Sequence, residues 1–159
     1  MVDKATLGEF KYELDCFTAS VDMILSGKYR EHPLDSFLLE VCLLHFRVVW
    51  DFFYKGKKGN NLTIRDFLPG GIPKKQKPKS PNKLLEIRES VNETVAHLSQ
   101  RRATPAFKAG QINGADLPVM RAHIAALFAA FAPLLTQDQR DALVNPLASK
   151  FKNYKTLNP

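Results

Sequence analysis

Residues 36–54 read SFLLEVCLLHFRVVWDFFY, and this run decides the fold class. Fourteen of its 19 residues are apolar, and it contains neither Gly nor Pro. Wound as a helix, it places Ser36, Glu40, Arg47 and Asp51 on one narrow polar stripe and leaves the rest of the cylinder apolar. A helix apolar over most of its circumference belongs in the middle of a core, with neighbours on several sides. A membrane span is excluded for this run, because Glu40, His45, Arg47 and Asp51 interrupt it too closely. His45 lies off the polar stripe, among Val41, Val48, Val49 and Phe52, and a buried imidazole there needs a hydrogen-bond partner. Asp15, Ser20 and Asn92 on flanking helices are the candidates. His45 and Arg47 stand about 160° apart on the helix, so they share a site only if another element wraps between them.

The flanking sequence supplies the elements that cover this spine. Thr6 to Glu9 reads as a capping box that opens a first helix. Phe10, Leu14, Phe17, Val21 and Ile24 or Leu25 mark its buried face, and Gly27 suits a left-handed C-terminal cap. Residues 57–79 form a long connection. Its apolar middle, Leu62 to Leu68, predicts a short turn lying on the bundle, and the Lys/Pro-rich stretch 74–79 is expected to be mobile. Ser80 and Pro81 open a third helix with Leu84, Ile87, Val91 and Leu98 inward, ending near Arg101 and Arg102. A fourth helix runs from residues 113–116 to about Leu134. It is rich in alanine, and those small residues permit close approach of another helix. Intrachain packing is the expected use, and a homodimer through that face is the alternative. Thr136 to Gln139 is a second capping box that opens a short fifth helix. No strand alternation or internal repeat occurs. The expected fold is all-α, an up-down bundle of four main helices plus a short C-terminal one, with a long basic loop between the second and third. Residues 1–150 form one helical domain and 151–159 a basic flexible tail.

Composition narrows the function classes. A hydrophobic content of 45% with 25% charged residues is that of an ordinary globular chain. The N-terminus lacks a basic and apolar leader pattern, so a cytoplasmic location without membrane attachment is expected. Cys16 and Cys42 sit in apolar helical contexts and read as free thiols. With no Cys/His cluster and no Glu-x-x-His pair of the kind that builds di-metal bundle sites, neither metal nor cofactor is expected. The net charge is +7, and all of it resides in one segment. Residues 55–82 carry eight basic side chains against Asp66 alone, while the rest of the chain balances 15 against 15. Lys57, Lys58, Lys74, Lys75, Lys77 and Lys79 are therefore the candidate contacts for RNA, another polyanion or an acidic partner. The only aromatic residue interleaved with them is Phe67, so binding there is expected to be driven by phosphates.

The remaining candidates for chemistry are histidines and arginines. Glu93, His97 and Arg101 form one i, i+4, i+8 row, in which a carboxylate can hold the imidazole in one tautomer. The competing reading is a solvated charge ladder. His32 beside a turn and His123 at the edge of the Ala-rich helix carry no such pattern.

Two motifs support a resemblance. Leu43-Leu44-His45-Phe46-Arg47, running on to Asp51-Phe52-Phe53, and Ala96-His97-Leu98-Ser99 followed by Arg101-Arg102 resemble a group of bacterial helical proteins. Those proteins are distantly similar to HEPN-type domains, compact helical bundles found as RNA-cleaving toxins or defence effectors. The similarity covers roughly residues 35–102. It implies a His/Arg cluster between the second and third helices, with His97, Arg101, His45 and Arg47 as catalytic candidates for metal-independent RNA cleavage or as a structural set. The family's usual arginine, about five residues before its histidine, is here Asn92, and the nearest arginine upstream of His97 is Arg88.

Overall fold

The 36–54 run is helical throughout in a computed structural model of the chain, which describes residues 4–28, 34–56, 61–95 and 114–144. The described residues contain helices α1 (Lys4–Ser26), α2 (Leu34–Tyr54), α3 (Asn82–Val95), α4 (Asp116–Phe131) and α5 (Gln137–Val144). Single 3-10 turns occupy Ile64–Asp66 and Ala132–Leu134. No strand occurs among the described residues, so the fold is an all-α bundle.

The spine reading of α2 holds. It packs most extensively on α1 and also touches α3, α4 and the Ile64–Asp66 turn. Cys42, Phe46, Val49, Trp50, Phe52 and Phe53 are all buried along it. Four phenylalanines form the core's centre: Phe10 of α1 stacks on Phe52 with ring centroids 3.8 Å apart, and Phe53 and Phe131 meet both rings edge-on. Such pairs add about 0.5–1.5 kcal/mol each beyond area burial. The Cys42 thiol is pushed up to about 12 by burial, which makes it an inert packing group.

Several local signals are realised. Gly27 follows α1 at φ +68° and donates to the Ile24 carbonyl, as a left-handed cap requires. Thr136 and Gln139 bond reciprocally at the start of α5. The Leu62–Leu68 stretch forms a turn closed by its own capping box, where the backbone N–H and hydroxyl of Thr63 both donate to Asp66. The start of α1 differs. The helix is already running at Lys4, so Thr6 lies inside it and does not cap it.

Two further expectations change. Ala122, Ala125, Ala126 and Ala129 of α4 are exposed, while Ala130 of the same set packs partly against the core. The inward face is built from Leu117, Met120, Ile124, Leu127 and Phe131. The segment from Asp116 to Leu134 is long and apolar enough, by length and composition alone, to cross a membrane. Its inner residues nevertheless belong to the bundle core, and Asp116 pairs with Lys83 of α3. The 74–79 stretch is a defined turn: Gln76 and Lys77 donate backbone bonds to the Pro73 carbonyl. Predicting mobility from lysine and proline content overlooked the anchors that hold it.

Candidate functional site

The predicted site residues divide among three places. His45 sits at the seam of α1 and α2, with 14% of its side chain exposed. Its Nδ1–H donates to Glu13 Oε2 at 2.6 Å, and the Tyr12 ring meets it edge-on. The expected partner is a polar residue of the first or third helix such as Asp15, Ser20 or Asn92; the observed one is on the first helix but is Glu13. Arg47 points elsewhere, into a cleft on the side of the Ile64–Asp66 turn. The two residues thus face different neighbours, and α2 itself stands between them. Of the second motif, His97 and Arg101 lie outside the described residues, as does Arg102. Of the four catalytic candidates, the described pair His45 and Arg47 is therefore held apart.

The basic segment is better defined. Lys57 and Lys58 lie outside the described residues. Lys74, Lys75 and Lys79 are exposed, as is Arg65 on the 3-10 turn. None of these four makes an ion pair with a described acid. Asp66, the segment's one carboxylate, is occupied in the capping box. Phe67 is buried in the core, which removes it as a stacking platform.

Lys77 behaves differently from its neighbours. It turns inward, where its Nζ donates to the Phe53 carbonyl at 3.0 Å and lies 4.1 Å from the Tyr54 ring centroid. The ammonium satisfies a carbonyl in the last turn of α2, the end of a helix that favours a cation. Burial, and then Arg65, lower its pKa. Lys77 is thus the peg that fixes the basic loop to the bundle, and not a free contact.

The peg belongs to a cluster that sequence reasoning missed. Tyr54 stacks on Trp50 at 4.4 Å, and its hydroxyl lies 2.8 Å from His123 Nε2. His123 is only 7% exposed and lies under Trp50 and Tyr54. Burial pushes the Tyr54 phenol up to about 12, so it remains a neutral donor. Burial, and then the nearby Lys77 charge, hold the His123 pKa below its usual value. The Tyr54 hydroxyl and the neutral His123 Nε2 are joined by one hydrogen bond, and the same hydroxyl lies 3.4 Å from the Pro78 carbonyl. Together α2, α4 and the loop form one joint around Tyr54.

Asp51 ties α2 to α3. It accepts from Lys55 at 2.8 Å and from Arg88 at 3.3 Å. Among the described residues no three His, Cys, Asp or Glu side chains converge as metal ligands. No family model matches the chain, and comparisons with curated proteins and with solved structures find no significant match. The likeness to HEPN-type domains rests on the two motifs alone.

Proposed function

We propose that this chain is a small helical module that binds nucleic acid through the phosphate backbone, using the basic face of the segment between α2 and α3. The observation that carries this reading is the set of exposed cations Arg65, Lys74, Lys75 and Lys79 on a loop held in place by Lys77. A charge set fixed before binding loses less entropy on association than a mobile tail does. Asp66, whose carboxylate accepts from the neutral donors of Thr63, is the one acid set against these cations in the segment, and none of the four makes an ion pair with a described acid. With Phe67 buried, the face offers phosphate contacts without base stacking, so recognition is insensitive to sequence.

The test is fluorescence anisotropy of a single-stranded RNA oligonucleotide titrated with the full chain at several salt concentrations. Four phosphate contacts give a log–log salt slope of about −3 for a single strand. The Lys74→Glu/Lys75→Glu/Lys79→Glu variant should lose about two from that slope and bind more weakly at every salt. Absence of binding at low salt, or a slope unchanged in the variant, would overturn the reading.

A further inference from the structure

A cleft of about 270 Å³ opens between α2 and the segment entering the Ile64–Asp66 turn. Its walls include Leu44, Val48 and Leu62, with Arg47, Asp51 and Lys55 as its charged members. Leu44 and Val48 are large apolar side chains left 44% and 41% exposed here. Branched aliphatic side chains beside an open cavity leave apolar area in water that a ligand can cover.

The charges in the cleft are unequally satisfied. Asp51 is engaged twice, by Lys55 and by Arg88. Arg47 is half-buried and makes no hydrogen bond or ion pair with any described residue. One guanidinium is therefore left over, beside apolar walls that hinder its hydration. A guanidinium presents a planar fork that matches a carboxylate in two parallel hydrogen bonds. Asn61 stands exposed at the rim, with an amide able to add one more donor. Among the described residues the cleft has no aromatic lining, so they offer no stacking surface for a nucleobase or another flat ring. Its size lies just under the roughly 300 Å³ at which pockets that enclose ligands begin.

We infer that this cleft binds a small organic acid whose carboxylate is carried on a short aliphatic body. The carboxylate pairs with Arg47, and the body lies on Leu44, Val48 and Leu62. Asp51 does not repel the ligand, because its charge is already compensated by two cations. The site borders the basic segment through Asn61, Leu62 and Thr63 but uses none of the exposed cations Arg65, Lys74, Lys75 and Lys79, so it does not depend on nucleic-acid binding.

Hexanoate, hexanol and inorganic phosphate serve as probes in a titration of the full chain, followed through backbone amide shifts. Hexanoate should bind saturably with a Kd on the order of 1 mM, moving the amides of residues 44–51 and 61–63. Hexanol should bind at least tenfold more weakly, and phosphate should not displace hexanoate at equal concentration. Arg47→Met should weaken hexanoate at least tenfold, with Arg47→Lys intermediate, because an ammonium keeps the charge and loses the fork. Neither substitution breaks a bond to a described residue, and an unchanged amide spectrum away from the cleft checks that the fold is kept. Hexanol binding as well as hexanoate, phosphate displacing it, or Arg47→Met binding unchanged would each overturn the assignment.

Discussion

The short bond between His45 and Glu13 spans 32 residues of sequence and closes the seam of α1 and α2. Both side chains are partly exposed, so solvent screens the pair. A double-mutant cycle with Glu13→Ala and His45→Ala should give a coupling on the order of 1 kcal/mol in urea unfolding. A coupling near zero would mean that the bond contributes nothing in solution. At Tyr54 the expectation is sharper. Tyr54→Phe leaves the buried His123 Nε2 without this hydrogen-bond partner and should cost about 1–2 kcal/mol. His123 also sets a pH dependence. Its folded pKa is depressed, so the neutral form is favoured in the folded state. That contribution is complete above the unfolded value near 6.5 and is lost as pH falls through the folded pKa. Thermal melts from pH 7.5 downward should show a loss of stability that His123→Gln reduces, over and above the carboxylate effects common to both proteins. His123 was legible in the sequence, although the Ala-rich composition of its helix obscured it. It stands three residues after Met120 and four before Leu127, on the same stripe as Ile124 and Phe131. Reading that stripe by position would have placed an imidazole in the core and prompted a search for its partner.

Among the elements, the loop between α2 and α3 differs most from its composition. A run of lysine and proline carries no periodicity, so nothing local distinguishes Lys77 from Lys74, Lys75 or Lys79. The difference is tertiary: only Lys77 reaches the end of α2, where the Phe53 carbonyl lacks a continuing helix to satisfy it. Lys77→Ala should therefore speed hydrogen exchange at the amides of Gln76 and Lys77, which donate to Pro73. The core amides of α2 should keep their protection. Equal protection in the loop would show that the turn holds without its peg. The helices themselves were far more legible. Core spacing in α1, the cap at Gly27, the turn at 62–68 and the box at Thr136 all follow from short-range rules. Where a short-range rule failed, at Thr6, the helix simply continued through the proposed cap to Lys4.

Across the whole molecule, the core and the charge are held by different residues. The core centres on Phe10, Phe52, Phe53 and Phe131, and a cut such as Phe52→Ala should cost about 3–5 kcal/mol, a large share of the stability of a chain this size. The excess charge lies on the segment between α2 and α3, where Arg65, Lys74, Lys75 and Lys79 are exposed. Removing charge there should leave the fold intact, with changes within about 0.5 kcal/mol for each exposed site. It should still alter how stability responds to salt. Like charges crowded on one segment repel, and the repulsion is screened as the Debye length shrinks from about 10 Å at 0.1 M to about 3 Å at 1 M. The wild-type melting temperature should therefore rise with sodium chloride from low salt upward. In Lys74→Gln/Lys75→Gln/Lys79→Gln the rise should be smaller. Parallel salt curves for the two proteins would mean that the basic face carries no repulsive strain, and that its cations are already neutralised within the folded chain. The same curves bear on function, because a face without unscreened positive charge has no electrostatic reason to attract a phosphate backbone.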